Sequence, residues 1–466
     1  MLLQRLLGSF RIAYLPVLVT YFAYGASAIT GVALLYLQKT TLDLTPAEVA
    51  HVGFWAGLPW ATKMVAGAAS DRFPLFGSRR RPYLFLGAVL SMLGYAALAT
   101  AVDSKSAYLG ATVIIALGFM IQDVVADALS VEVARSEEET AQIQTLGRMA
   151  LLVGSISVGY LSGVLAESLG PRRVCALATA LPGLVAVVAL LVRGAERTDS
   201  ARGGGALTGH HAETIMLIGL LYAGLSVLLE WFEVPRAQEL ILILSGVLIA
   251  LLLRQVGISR PVVVAAGVIF LFRSTPGVGQ GYSYWAIDGL GFDERFLGLL
   301  AQVSSVLSLL GLVVFRRAIT TRPVSVTLSW VIVAGTVLYL PNIGLFYGLH
   351  EWLGVTARTL AFIDTTISAP LNQLTMVPML VLIAKTAPRG AEATMFAIMA
   401  SLMNLALSAS ELFTRYLNTA FAVTQQDYSN LGKLMVTVLF LGLLPLLAIP
   451  LLRRHESLLH GEHAQA

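Results

Sequence analysis

Long apolar runs dominate this sequence, and they leave the chain few ways to fold. Only 12% of its 466 residues are charged, whereas 57% are hydrophobic. A soluble domain carries about 25% charged residues, so this chain cannot cover its surface in water and its solvent must be lipid. Because backbone groups find no water in a bilayer core, each run of about 20 apolar residues must be a helix.

The runs predict an all-α polytopic membrane protein with about 14 transmembrane helices. The predicted spans are 12–38, 47–68, 84–101, 107–134, 141–166, 174–192, 213–231, 239–256, 261–287, 296–315, 323–346, 355–384, 392–417 and 431–452. The polar, glycine-rich stretch 193–212 is typical of a flexible linker, here on the cytoplasmic side. We therefore expect an N-terminal six-helix bundle at 1–192, a central two-helix hairpin at 213–257 and a C-terminal six-helix bundle at 258–466.

A weak internal repeat supports two related halves. V-E-V-A-R begins at Val131 and V-L-I-A-K at Val381, and each ends a long predicted helix. Halves related by an axis along the membrane normal are typical of transporters whose site lies between them, near the bilayer midplane.

Lysines and arginines collect in alternate loops. They run from Arg5 and Arg11 before the first span to Arg453 and Arg454 after the last. The positive-inside rule then places both termini in the cytoplasm. The net charge of +4 faces anionic lipid headgroups and is not a nucleic-acid footprint. We expect a multi-pass protein in the cytoplasmic (inner) membrane of a bacterium, acting as a monomer.

The segment Gly67–Tyr83 is a polar, arginine-dense hairpin between the second and third predicted helices. It resembles the G-x-x-x-D-R-x-G-x-R-R motif of the major facilitator superfamily, which latches one conformation, with F-P-L-F inserted. The candidate gating residues are Gly67, Asp71, Arg72, Arg79, Arg80 and Arg81. The alternative is a plain positive-inside anchor, although an anchor needs no aspartate at position 71.

Charges inside the apolar runs are costly and therefore mark candidate functional groups. Asp123 and Asp127 lie one helical turn apart on one face. Their mutual repulsion requires either a cationic neighbour or a bound proton. The candidate network is completed by Lys63, Arg148 and Glu132. It serves either proton coupling or a fixed charge network between helices. We expect the seven histidines to lie in loops or termini, in which case carboxylates must carry any transported proton.

A second polar region begins at Arg273, in the middle of a predicted span. Pro276 and the glycines after it are expected to break that helix at membrane depth, which requires protein or a water-filled cavity beside the break. An arginine with Tyr282 and Tyr284 nearby suits a flat, anionic, aromatic substrate. The alternative is an ion pair between Arg273 and Asp364.

Further polar residues complete the candidate substrate site. They are Tyr24, Asp364, Asn372, Gln373 and Asn404. Asparagines at such positions also serve as hydrogen bonds between helices. We find no catalytic motif and no metal-ligand spacing, and we expect no cofactor.

Several stretches in order resemble the folate–biopterin transporter family of the major facilitator superfamily. They are G-L-P-W-A-T-K at 57–63, I-Q-D-V-V-A-D-A-L at 121–129, L-G-F-D-E-R-F-L-G at 290–298 and M-V-P-M-L-V-L-I-A-K-T-A-P-R-G-A-E-A-T-M-F-A at 376–397. The resemblance implies the major facilitator fold and uptake of folate- or pterin-like anions by proton symport. It places Lys63, Asp71, Asp123, Asp127, Pro276, Glu392 and Asn404 at family-typical positions, with Glu392 joining the gating residues.

Two other functions stay open at this point. A permease for muropeptides or another organic anion would share the Q-D-V-V-A-D-A stretch and the span count. A non-transporting membrane assembly factor could use the same fold, and it would tolerate neutral residues at Asp123, Asp127 and Arg273.

Overall fold

The computed structural model describes residues 11–192, 210–256, 259–372, 374, 376–386 and 392–454. Within these ranges the chain is helical and forms no strand. The first ten helices are α1 (Leu15–Ala26), α2 (Gly31–Tyr36), α3 (Pro46–Ala61), α4 (Lys63–Arg72), α5 (Arg81–Thr100), α6 (Lys105–Val133), α7 (Glu137–Leu169), α8 (Pro171–Ala178), α9 (Ala180–Leu191) and α10 (His210–Trp231).

The remaining helices complete the described chain. They are α11 (Ala237–Val256), α12 (Arg260–Arg273), α13 (Gln280–Leu290), α14 (Glu294–Thr321), α15 (Val324–Phe346), α16 (Leu349–Trp352), α17 (Ala357–Asn372), α18 (Met376–Thr386), α19 (Glu392–Ala420) and α20 (Leu431–Leu441). Four of the long helices, α6, α7, α12 and α14, begin with a side-chain cap. Ser104, Ser136, Ser259 and Asp293 each accept a hydrogen bond from the backbone N–H three residues later. These caps satisfy donors that a helix start leaves open.

Ten helical stretches in the described chain are long and apolar enough to cross a membrane. The four other predicted spans, 47–68, 213–231, 261–287 and 355–384, are also helical, but they are interrupted or shorter. Thr62 separates α3 from α4, residues 274–279 separate α12 from α13, and α17 ends before α18 begins. Composition alone predicts each of these stretches as one continuous span, because a helix break changes few of its apolar residues. The total of about 14 spans stays a prediction.

The chain divides into two compact units. Unit 1 comprises residues 1–42 and 62–237, and unit 2 comprises residues 43–61 and 238–466. The predicted central hairpin is therefore shared, because α10 belongs to unit 1 and nearly all of α11 to unit 2. Most of the predicted linker, 193–209, lies outside the described residues. The division into 1–192, 213–257 and 258–466 stays a prediction.

Small residues let the helices of unit 1 approach closely. A Cβ at Gly25 of α1 would overlap the backbone of Leu151 in α7. A Cβ at Gly118 of α6 would overlap the backbone of Gly87 and the side chain of Ser91 in α5. In a bilayer, where lipid is as apolar as leucine, such close packing drives helix association.

Unit 2 is organised around α19, which packs against both α3 and α12. Elsewhere in unit 2, α14 and α17 meet where Gly311 lies against the backbone of Pro370. Buried methionines and leucines fill the inner part of α19, including Met399, Met403 and Leu405. One long helix thus supports two others, and its polar residues reach both.

Candidate functional site

The acidic pair of α6 lies inside unit 1 with partners from three helices. Asp123 is buried and forms an ion pair with Lys63, the first residue of α4. An ammonium group at a helix N-terminus opposes the helix dipole, and the Asp123 carboxylate offsets that cost. The predicted pairing of Lys63 with this acidic helix is confirmed.

Asp127 has a different partner. It accepts a hydrogen bond from the hydroxyl of Tyr21 in α1. The guanidinium of Arg148 in α7 lies over the ring of the same tyrosine, with its Cζ 5.6 Å from the ring centroid. Arg148 therefore reaches Asp127 through the ring of Tyr21. One turn further along α1, Tyr24 packs on Phe119 of α6, with ring centroids 5.3 Å apart.

Arg80 is the centre of the hairpin. It is buried, and its guanidinium binds Asp71 at 2.6 Å, Glu132 at 2.7 Å and the hydroxyl of Ser70 at 2.6 Å. Burial alone would lower the pKa of Arg80, but the carboxylates of Glu132 and Asp71 raise it above its usual value. This arginine therefore ties the end of α4 and the end of α6 to the start of α5.

The other hairpin residues form its turn and connect it to a neighbouring helix. Leu75 and Ser78 exchange two backbone hydrogen bonds of 3.0 Å, and Phe76 and Gly77 between them both have positive φ. This two-residue turn favours glycine at its second position. Arg81 donates to the carbonyls of Ala189 and Leu190 at the end of α9, at 2.8 and 2.7 Å.

Of the remaining gating candidates, one forms an ion pair with a neighbouring helix and another is exposed. Arg72 pairs with Glu213 of α10 at 2.9 Å, and Arg79 is exposed. A Cβ at Gly67 would lie 3.7 Å from Val124, so α4 and α6 are in ordinary contact there. Glu392 is the first residue of α19.

The break after α12 confirms the predicted interruption of that span, and α19 supplies most of its hydrogen bonds. Arg273 donates through Nε to the carbonyl of Met403 at 3.2 Å. Ser410 donates to the carbonyl of Thr275 at 2.7 Å, and the hydroxyl of Thr414 accepts from Gly277 N at 2.9 Å. Unwound backbone at membrane depth requires such partners.

Three further facts complete the geometry of the break. Asn418 of α19 donates to the carbonyl of Val278 at 3.1 Å. Gly279 begins α13 with a φ of +65°, which favours glycine. Of the two predicted aromatic contacts, Tyr284 is fully buried, whereas Tyr282 is half-buried beside Trp285.

Asp364 does not pair with Arg273 in this structure. Its carboxylate accepts a hydrogen bond of 2.8 Å from Asn342 of α15, a residue that the sequence analysis did not single out. The alternative of an Arg273–Asp364 ion pair is therefore not observed. No carboxylate of the described residues pairs with Arg273.

Asn404 of α19 satisfies the backbone at the other interruption. Its amide donates to the carbonyl of Trp60 at 3.0 Å, just before the helix breaks at Thr62. In an unbroken helix that carbonyl would accept from the amide four residues later. Of the last two candidates, Asn372 is the final residue of α17, and Gln373 lies outside the described residues.

The structure thus brings together Lys63, Asp123, Asp127 and Arg148 of the predicted charge network. Glu132, which was predicted to belong to that network, instead binds Arg80 in a second cluster with Asp71. In unit 2, Arg273 and Asp364 have separate hydrogen-bond partners. Within the described ranges, no three histidine, cysteine or acidic side chains lie close enough to hold a metal ion.

Solved structures show what class of protein has this fold. A POT family transporter in complex with 5-aminolevulinic acid matches with a TM-score of 0.70 and 15% identity, covering 96% of each chain. The nucleoside transporter NupG matches with a TM-score of 0.68 and 9% identity, covering 94% of this chain and 99% of that one. The chain therefore shares the fold of these two transporters.

Sequence comparison gives the family. The BT1 family model matches residues 25–464. A folate-biopterin transporter of Synechocystis sp. is 30% identical over 92% of this chain and 81% of its own length. Folate transporter 2 of Plasmodium falciparum is 23% identical over 93% and 86%. The chain belongs to the BT1 family, as the resemblance predicted; it is a transporter of a small molecule and not an enzyme.

Proposed function

We propose that this protein is a secondary active transporter that moves a folate- or pterin-like organic anion together with a proton by alternating access. The carboxylate pair on α6 carries the proposal. Lys63 neutralises Asp123 directly, whereas Asp127 is bound by the neutral hydroxyl of Tyr21. Two carboxylates one turn apart disfavour double ionisation. Asp127 is therefore the group that takes up the proton, and Asp123 fixes the field around it.

The substrate proposal rests on Arg273 and on the names of the relatives. Arg273 stands beside a helix break, and within the described residues its guanidinium donates only to one backbone carbonyl, so most of its N–H donors remain for a ligand. A guanidinium in this setting suits a carboxylate of the substrate. Asp364, Asn404, Asn372, Gln373, Tyr24, Tyr282 and Tyr284 are the other proposed substrate-site residues. Two relatives are named for folate or biopterin transport.

The hairpin is proposed to be the latch of one transport state. Arg80 connects three helix ends through Asp71 and Glu132, so releasing it frees all three. Arg72, Arg79, Arg81, Gly67 and Glu392 are the supporting residues of this proposal.

The remaining proposals concern placement. We place the protein in a bacterial cytoplasmic membrane as a monomer with about 14 spans, both termini inside, and the bundles at 1–192 and 258–466. The single cysteine, Cys175, is buried. Single cysteines placed in successive loops of a Cys175→Ser protein would therefore report each loop's side through impermeant alkylation.

Transport is tested by uptake into proteoliposomes with a controlled pH gradient. One proton per substrate in a gradient of one pH unit supports about tenfold accumulation. We expect labelled folate or a pterin to accumulate to this extent in the native protein and to equilibrate only in the Asp127→Asn variant. Asp103→Asn, which removes an exposed loop carboxylate, is the matched control and should behave as the native protein.

Each other outcome decides between the alternatives. Flux that ignores the gradient would exclude proton coupling. Flux of labelled muropeptide without folate flux would favour the muropeptide permease. A folded protein that moves none of these solutes, and that keeps its cellular role with Asp127→Asn and Arg273→Gln, would favour the assembly factor.

A further inference from the structure

Glu411 is a carboxylate inside the membrane-spanning part of α19. The apolar stretch that contains it runs from Met395 to Ala420, so about 16 residues precede it and about nine follow it in that span. Intramembrane carboxylates are expensive unless they are paired or functional. The described residues give Glu411 no ion-pair partner and no hydrogen bond.

The neighbouring polar residues on α19 do have partners or close contacts. Asn404 binds the carbonyl of Trp60, and Arg415 donates to the side chain of Gln238 at 2.7 Å. Gln238 in turn donates to the carbonyl of His51 at 3.0 Å. The cation one turn from Glu411 is therefore already engaged with an amide.

The surface that faces Glu411 is built from glycine. A Cβ at Gly53 of α3 would lie 2.9 Å from both Cδ and Oε2 of Glu411. One turn further, a Cβ at Gly57 would lie 2.5 Å from the hydroxyl of Ser408. Any larger residue at either position would displace these polar groups, so the glycines admit them to the contact between α3 and α19.

The surroundings offer the carboxylate no compensation for a negative charge. Among side chains that the structure describes, the titratable or charged ones on α3, α12, α13 and the rest of α19 are Glu48, His51, Arg260, Arg273, Tyr282, Tyr284, Asp288, Arg415 and Tyr416. His51 lies within α3, so the prediction that every histidine lies in a loop or terminus is wrong. His51 packs edge-on against Trp55, Tyr416 binds Glu239, and Arg273 binds a backbone carbonyl two turns away. An ionised carboxylate against a glycine backbone in a low-dielectric contact would be strongly destabilised.

We infer that Glu411 is a proton-binding site of unit 2, and that its protonation closes the contact between α3 and α19. The neutral acid fits against Gly53, whereas the ionised acid requires water and thus separation of the two helices. The inference deepens the proposed function, on which its role in transport rests, by adding a second protonation event to that of Asp127.

Cysteine labelling tests the contact without measuring transport. Ser408→Cys, in a Cys175→Ser background, places a thiol one turn from Glu411 on the same face. Its alkylation rate is measured between about pH 5 and pH 8 with Glu411 and with Glu411→Gln, which mimics the neutral acid. The ratio of the two rates at each pH cancels the ionisation of the thiol itself.

We expect this ratio to be near one at low pH and to rise about tenfold as Glu411 ionises. A second protein, which keeps the native Cys175 buried in unit 1 and has no change at Ser408, is the control for global opening, and its labelling should show no such rise. A ratio that stays flat would overturn the inference, even if proton-driven uptake is found. Failure of Glu411→Gln to fold would also overturn it, because glutamine has the shape of the neutral acid. A rising ratio without any transport would overturn only the proposed function.

Discussion

The two units treat the charges inside their helices differently. In unit 1, Asp123 pairs with Lys63 and Arg80 binds both Asp71 and Glu132, and Asp127 alone of these carboxylates is bound by a neutral hydroxyl, that of Tyr21. In the described part of unit 2, Arg273 meets only a backbone carbonyl and Asp364 only an amide. Matched charges hold helices in place, whereas unmatched ones retain affinity for a ligand of opposite charge or for a proton. Arg273 and Asp364 of unit 2 therefore lack an oppositely charged partner within the described residues, as Asp127 does in unit 1.

The largest expected effect comes from breaking the match in unit 1. Lys63→Met leaves the buried Asp123 without its cation, which we expect to destabilise the fold by about 3 kcal/mol. The double variant Lys63→Met/Asp123→Leu should recover most of this loss, because it removes both charges. Thermal unfolding in detergent measures both. Equal stability of the native protein and the Lys63→Met variant would show that the pair is no more than a surface contact.

The second test concerns the unmatched arginine of unit 2. Arg273→Gln removes charge-assisted donors, and a substrate carboxylate should lose about 2 kcal/mol of binding, or roughly thirtyfold in affinity. The melting temperature should change little, because the native side chain makes one backbone bond. Arg273→Lys keeps the charge. Its affinity for the labelled anion, measured by equilibrium binding, should lie between those of the native protein and Arg273→Gln. A large loss of stability with intact binding would mean that Arg273 is structural.

A smaller effect is expected at the hairpin, because one partner of the Arg80–Asp71 ion pair is exposed. The side chain of Asp71 is 60% exposed, so its pairing with Arg80 contributes about 1 kcal/mol at most. Asp71→Asn should shift the balance between inward- and outward-open states by up to about fivefold and leave substrate preference unchanged. Cysteine accessibility on the two sides reports that balance. A changed substrate preference with an unchanged balance between inward- and outward-open states would show that the hairpin has no part in gating.

The smallest expected effect lies at the start of α14, where unit 2 does match a charge. Burial alone would raise the pKa of Asp293, but the N–H of Phe296 and the guanidinium of Arg358 lower it overall. A lowered pKa in the fold adds stability above the unfolded value of about 3.9, and this is lost as the pH falls through the folded value.

Asp293→Asn keeps a side chain that can cap the helix N-terminus, but it removes the charge whose lowered pKa adds stability. Both side chains are nearly half-exposed, so the difference should be about 0.5 kcal/mol at pH 7 and should vanish in acid. Paired melting curves of the native protein and the variant at both pH values measure it. A difference that grows in acid would reverse the expected sign.

Features that depend on composition, or on the free-energy cost of burying a charge, could be predicted from the sequence. Apolar runs located the helices, and the expense of an intramembrane aspartate predicted that Asp123 would meet Lys63. Pro276 and its glycines predicted the break after Arg273. The likeness of the hairpin to a known motif pointed to Asp71 and Arg80, and the structure adds that Arg80 is the buried member.

Residues that act through tertiary contact gave no such signal. Asn342 is an ordinary member of an apolar helix until the fold brings Asp364 to it, and nothing in the sequence pairs Tyr21 with Asp127. Ser410 and Thr414 matter because an unwound backbone lies opposite. Glu411 was visible as a charge in a predicted span, but its meaning depends on Gly53, which is far away in sequence.

The path of the chain between the units has a consequence for cutting it. Although α3 precedes most of unit 1, it belongs to unit 2 and packs on α19, and α10 packs on α4 in unit 1. Cleavage within 193–209 would therefore give two fragments that each hold a helix belonging with the other. Such fragments, expressed separately with different tags, should assemble and copurify as an interlocked pair. A chain whose units were divided at residues 193–209 would instead yield two halves with no exchanged helix to join them.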